Sequence, residues 1–176
     1  AASFLSAGRD SVINLWTSGG DCVGTQTAHR GSVTVLSDIN MNLKFRRGVP
    51  LLFSLGVDSS IKLWDLRKFK QVTEFAVPDS NVTKAVWSGQ HIVSASATGN
   101  VRLWSYFRNN NDKNALADSN SFDSLGSIGK EKEHLMWDYM DLAGHSQTST
   151  DLISTHQFVA SGSKDGSINR WWSNTS

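Results

Sequence analysis

The chain has 176 residues, of which 39% are hydrophobic, and its 17 basic and 16 acidic side chains leave a formal net charge of +1. That hydrophobic share is too high for a disordered chain, and the charge balance gives no electrostatic reason to bind nucleic acid or an anionic membrane. No apolar run reaches the roughly 18 residues of a membrane span, and a single cysteine, Cys22, cannot close an internal disulfide, which points to an intracellular setting, cytoplasm or nucleus.

In chain order, short apolar runs separated by turn residues predict strands throughout. Residues 4–16 read as two strands around a turn, with a third over 21–27. Strands are then predicted over 32–37, 50–55, 60–65 and 70–76, with residues 40–50 lengthening the first connection. The next set is 81–87, 91–96, 100–105 and 136–142. Between its last two members lies a segment, 106–135, rich in Asn, Asp, Ser, Gly and Lys, which reads as an inserted surface loop. Ser119, Ser121, Ser124 and Ser127 in it are candidate phosphate acceptors. The last strands are predicted near 149–154, 157–162 and 167–172.

Four windows of these strands align without a gap. Each begins with a serine (Ser6, Ser54, Ser94, Ser161), reaches Asp10, Asp58, Thr98 or Asp165 four residues later, and ends on Trp16, Trp64, Trp104 or Trp171 six residues after that. Turn residues occupy the middle of each window, and apolar and polar residues alternate after it, as in Ile61-Lys62-Leu63-Trp64. That is a β-hairpin pattern. The intervals between tryptophans are 48, 40 and 67 residues. The first two suit a repeating unit of four short strands, and the third needs the insertion.

These windows, with Gly144-His145, the weaker Ala28-His29 and the intact Trp64-Asp65, resemble the WD40-repeat family. The resemblance implies an all-β fold, a propeller fragment of about three to four four-stranded antiparallel blades in an incomplete ring. Residues 1–28 would be a partial blade (strands b, c and d), 29–77 a second, 78–143 a third containing the insertion, and 144–176 a partial last blade (strands a, b and c). It also implies a buried His–Ser–Asp–Trp network in each blade. His29, Ser54, Asp58 and Trp64 match it in the second unit, and His145, Ser161, Asp165 and Trp171 in the fourth. The first unit offers Ser6, Asp10 and Trp16. The third has Pro78 and Thr98 at the histidine and aspartate positions, so it is expected to lack the network and to rely on apolar packing by Val86 and Trp87.

The set His29, Ser54 and Asp58 also has the composition of a catalytic triad. It recurs at His145, Ser161 and Asp165, whereas catalysis needs one copy, and no Gly-x-Ser-x-Gly elbow accompanies either serine. The histidines and the cysteine show no zinc spacing, and no cofactor motif is present. The expectation is therefore a non-enzymatic scaffold or adaptor that binds other proteins or peptides, part of a larger protein, its remaining blades supplied by the parent chain or a partner. Asp65, Arg67, Arg9 and Lys164 are the candidate partner-binding residues. Trp64-Asp65-Leu66-Arg67 further resembles the box through which WD-repeat substrate receptors dock to a cullin–RING ubiquitin ligase adaptor. A substrate receptor is thus one alternative, and the regulatory propeller of a trafficking or signalling protein is another.

Overall fold

The computed structural model describes residues 3–39, 51–78, 81–88, 91–108, 135–142, 144–155 and 157–172. Among these every regular element is a strand, and the strands form four antiparallel sheets in sequence order. Sheet 1 holds β1 (Ser3–Ala7), β2 (Val12–Thr17) and β3 (Cys22–Thr27). Sheet 2 holds β4 (Val33–Ile39), β5 (Leu51–Gly56), β6 (Ser60–Asp65) and β7 (Lys70–Ala76). Sheet 3 holds β8 (Val82–Ser88), β9 (His91–Ser96), β10 (Val101–Arg108) and β11 (Leu135–Leu142), and sheet 4 holds β12 (Ser149–Ser154), β13 (Phe158–Ser163) and β14 (Ile168–Trp172). Each sheet is a meander in which neighbours in sequence are neighbours in space. The described sheets do not close into a ring.

Residues 106–108 and 135 do not belong to the insertion as expected. They extend β10 and β11, pairing Arg108 with Leu135 at the end of a ladder that begins at Val101 and Leu142. The rest of that segment, with its four serines, and residues 40–50 lie outside the described residues.

The hairpin that defines the repeat turns the same way in all four copies. Ser11, Ser59, Gly99 and Gly166 occupy one repeat position, and all four adopt the left-handed backbone, with φ of 69°, 58°, 90° and 82°. Their amide groups donate to the carbonyls of Gly8, Gly56, Ser96 and Ser163, three residues earlier. A tight turn followed by a left-handed residue matches the right-handed twist of the flanking strands. At Gly99 the reason for glycine is twofold, because an added Cβ would also run into the His145 carbonyl oxygen in the connection to the next sheet.

Strand alternation gives each sheet two working faces, and the sheets stack face to face. Ile13 of sheet 1 packs with Val33, Leu52 and Trp64 of sheet 2. Phe53, Leu55, Ile61 and Leu63 of sheet 2 pack with Ala85, Ile92 and Trp104 of sheet 3. Val93, Ala95 and Val101 of sheet 3 pack with Leu152 and Val159 of sheet 4. Burial of these side chains at roughly 1.5–3 kcal/mol each is the main force holding the sheets together. Polar bonds fix the stacking: Val33 N donates to Gly8 O (2.9 Å), and the hydroxyls of Thr83 and Thr148 donate to the carbonyls of Ser149 and Ala97, both at 2.9 Å.

Candidate functional site

The repeat motif assembles around the second sheet as one connected chain of hydrogen bonds. Trp64 Nε1 donates to Ser54 Oγ (2.9 Å), which lies 2.8 Å from His29 Nε2. On its other side, His29 Nδ1 faces Asp58 Oδ1 at 3.0 Å and Oδ2 at 3.2 Å. Register explains the meeting. Leu52 stands opposite Trp64 in the ladder, so Ser54, two residues on, shares a face with the indole. His29 arrives from the connection between sheets 1 and 2, anchored by its amide to Ser11 O (3.2 Å).

The donors run in one direction. With Nδ1 protonated, the indole gives to the serine, the serine to the imidazole, and the imidazole to the carboxylate, so every buried polar atom is satisfied. A doubly protonated imidazole would leave the serine hydroxyl without an acceptor. Burial accordingly lowers the His29 pKa below its ordinary 6.5, against the opposing pull of Asp58. Partial burial raises the Asp58 pKa, but the Arg30 amide, Ser60 and His29 outweigh it and hold the carboxyl at about 2. Arg30 N donates to Asp58 Oδ2 at 2.9 Å, and Ser60 Oγ donates to Oδ1 at 2.8 Å.

Sheet 4 repeats part of this set. His145 Nε2 lies 2.6 Å from Ser161 Oγ, and His145 Nδ1 lies 2.8 Å from Ser167 Oγ and 3.6 Å from Asp165 Oδ2. Hydrogen bonds from Ser167 and Ser146 hold Asp165 well below the usual carboxylate range. Trp171 does not complete the chain. Among the described residues no hydrogen bond runs from its indole to Ser161, and it packs instead on the apolar cluster of Val93, Val101 and Val159. In sheet 1, Trp16 Nε1 donates to Ser6 Oγ (2.8 Å), while Asp10 stays exposed and among the described residues accepts only from the Val12 amide, at 3.4 Å.

The third sheet corrects an expectation. It keeps half of the network: Trp104 Nε1 donates to Ser94 Oγ (2.8 Å), and Ser96 and Thr98 bond through their hydroxyls (2.6 Å). The serine–tryptophan bond spans two adjacent strands, so it needs only the hairpin and survives without a histidine. Val86 and Trp87 pack on the apolar clusters as expected.

Reading the sequence missed a fifth member. Ser60 and Ser167 precede their tryptophans by four residues, and both bond the histidine and the aspartate. The signal was present, since that position is serine in the two copies with histidine and Val12 or Asn100 in the others. Gly56, the last residue of β5, also serves the network. A Cβ there would sit 2.5 Å from the His29 ring, so the glycine makes room for the imidazole.

The connectivity of His29, Ser54 and Asp58 is that of a charge-relay triad, yet Ser54 is 0% exposed and accepts the Trp64 proton. No substrate carbonyl can reach that hydroxyl, so the set locks the sheet. The candidate partner-binding residues divide between the two ends of the sheets. Arg9 and Lys164 lie in the repeat turns beside the histidine networks, in the β1–β2 and β13–β14 connections. Asp65 and Arg67 lie where β6 leaves for β7, at the opposite end. There Asp65 grips Arg67 through both oxygens, 3.3 Å to Nε and 3.0 Å to Nη2, which lowers the Asp65 pKa. Between the inner strands, Ser37, Asp38, Val86, Trp87 and Ser154 line a cleft of about 210 Å³. Among the described residues no three His, Cys, Asp or Glu gather as a metal site.

The model of the WD domain, G-beta repeat, matches residues 20–65 and 139–171, the two stretches that contain or adjoin the histidine networks. Over those two stretches the chain carries WD40 repeats. Solved structures share its fold over nearly its whole length. It aligns with the computationally designed Ika4 protein at a TM-score of 0.66 and 21% identity, covering 98% of this chain and 86% of that one. A chain of the Mitotic Checkpoint Complex aligns at 0.67 and 18%, covering 97% and 45%, and U3-55K at 0.66 and 22%, covering 97% and 42%. The chain therefore spans less than half the length of the last two.

Proposed function

We propose that these WD40 blades serve as a non-enzymatic platform for binding other proteins or peptides inside the cell, with further blades completing the ring. The buried network around Ser54 carries this reading. It consumes the reactive side chains of the motif in holding the sheet together, and it leaves turn residues such as Arg9 and Lys164 exposed. Turns held still by strands lose little entropy on binding. A protein-binding role is the general one for the family, and one structural neighbour is a chain of a multiprotein assembly.

The experiment is affinity purification with mass spectrometry from cells, comparing wild type with Arg9→Glu/Lys164→Glu and with Arg67→Glu. A partner lost with one variant and kept with the other supports the platform and identifies the end that binds. Recovery of the same proteins by both variants and by an unrelated propeller refutes it. The substrate-receptor alternative draws on one observation, the Asp65 fork that sets the guanidinium of the 46%-exposed Arg67 side chain before any partner arrives. It requires a cullin–RING adaptor in the wild-type sample and its loss with Arg67→Glu.

A further inference from the structure

The outer strand of the third sheet departs from those of the first two. In sheets 1 and 2 the ladder to the outer strand slips at the repeat tryptophan. The register shifts between Leu15 and Trp16 and between Leu63 and Trp64, which puts Cys22 of β3 and Gln71 of β7 opposite the indoles. Such a bulge bends an edge strand and breaks up its outward row of backbone groups. Sheet 3 has no slip. Its ladder runs in register from Val101 and Leu142 to Arg108 and Leu135, and Tyr139 of β11 stands opposite Trp104. Among the described residues β11 pairs only with β10, and on its outer side the Tyr139 amide donates to Asp138 Oδ1 of its own strand, at 2.8 Å. Sheet 3 has a described sheet on either side, so this edge belongs to the interior of the stack and not to its ends.

Tyr139 is one of two tyrosines in the chain and is 40% exposed. Its ring lies 4.9 Å from that of Trp104, tilted by 45°, and the Arg102 guanidinium sits 4.5 Å from its centroid. These contacts use the ring, and a phenylalanine would make them equally well. Among the described residues the hydroxyl has no hydrogen-bond partner, so the fold does not use it. Acidic residues flank it: Asp138 directly before, and Asp141, bonded to Arg102 Nε at 2.6 Å, two positions after. A strand bonded along one side only also opens at lower cost than one held on both. An enzyme acting on the hydroxyl thus meets an extended backbone, an exposed phenol and an acidic approach.

We propose that Tyr139 is a phosphorylation site for a protein tyrosine kinase that selects acidic substrates. Tyr139 Oη attacks the γ-phosphorus of a nucleoside triphosphate held by the kinase. The Oη–P bond forms, and the bond from that phosphorus to the bridging β,γ-oxygen breaks. The nucleoside diphosphate leaves with the electron pair, and the phenolic proton passes to a general base of the kinase. The product carries about 1.5 to 2 additional negative charges at neutral pH, on a strand that already bears Asp138 and Asp141. That part of the rim becomes an acidic surface, suited to a basic partner and closed to an acidic one.

The test incubates the folded full chain with magnesium, ATP and a purified tyrosine kinase that accepts a glutamate–tyrosine copolymer. Intact mass follows the gain of phosphate, and fragmentation mass spectrometry locates it. The expected product carries one phosphoryl group on Tyr139, formed at least about tenfold faster than any on Tyr106, whose neighbours Ser105 and Phe107 are uncharged. Tyr139→Phe should abolish that product. Asp138→Lys, which leaves the tyrosine in place, should slow it at least about fivefold. Circular dichroism checks that each variant is folded, and a failure of Tyr139→Phe to fold leaves the site assignment on wild type and Asp138→Lys. No phosphate on the folded wild-type chain overturns the proposal. So does phosphate that reaches Tyr106 as fast as Tyr139, or a rate that Asp138→Lys does not change.

Discussion

Replacing Ser54 with alanine isolates the role of the buried network. The hydroxyl is fully buried and has two partners, accepting from Trp64 Nε1 at 2.9 Å and meeting His29 Nε2 at 2.8 Å. Its removal leaves an indole N–H and an imidazole nitrogen without partners in a site closed to water. Each orphaned group costs about 1–3 kcal/mol. A partial gain from the less polar alanine leaves a net loss of about 2–4 kcal/mol, or a fall in Tm of about 10 °C for a chain of this length. Ser94→Ala orphans one buried group, the Trp104 indole, and should cost about 1–3 kcal/mol. Ser6→Ala lies on an exposed face and should cost less than about 1 kcal/mol. The assay is urea unfolding followed by circular dichroism, with stability compared at unchanged m-value. The ordering Ser6, Ser94, Ser54 is the critical result. If Ser54→Ala costs no more than Ser6→Ala, the network is not what locks the second sheet.

The histidine and aspartate make the same network sensitive to acid. Because burial lowers the His29 pKa, the unfolded chain takes up its proton first, so stability drops as pH falls below 6.5, and His29→Gln should flatten that decline in a pH series of melts. Asp58, held at about 2 against an ordinary 3.8, contributes stability that is complete above 3.8 and lost between there and about 2. Solvent screening reduces that contribution to about 1–2 kcal/mol, which Asp58→Asn should remove at neutral pH. Gly56→Ala should destabilise by about 2–4 kcal/mol, since its methyl displaces His29, while Gly8→Ala, with only Asp10 Oδ1 near at 3.8 Å, should cost well under half as much in the same unfolding assay. Ser59→Gly should stabilise by up to about 1 kcal/mol, because it relieves a left-handed serine, and a loss of stability there would contradict the turn geometry.

Strand placement was legible in the sequence because the cues are local. Alternation such as Ile61-Lys62-Leu63-Trp64 and the turn residues before it operate within a dozen positions, and the fourfold recurrence of serine, turn and tryptophan made each window support the others. The pairing of Ser54 with Trp64 was implied by the WD40 resemblance, and the register of the hairpin, which puts both on one face, accounts for it. Distance between groups that are remote in sequence was not legible. Whether His29 reaches Ser54, why Gly56 must lack a side chain, and why Trp171 packs without its serine all depend on how one sheet's connection lies over the next. The third sheet shows the same division: losing the histidine suggested losing the whole network, but Ser94 and Trp104 keep their bond because it is internal to one hairpin.

The repeat by itself determined that this chain forms antiparallel hairpins, because alternation and turn chemistry act between neighbours. Only the tertiary structure decided which groups are closed to water and which faces remain open. Ser54 and Ser6 occupy the same repeat position, yet one is sealed beneath a neighbouring sheet and the other is exposed, a difference made by packing between sheets.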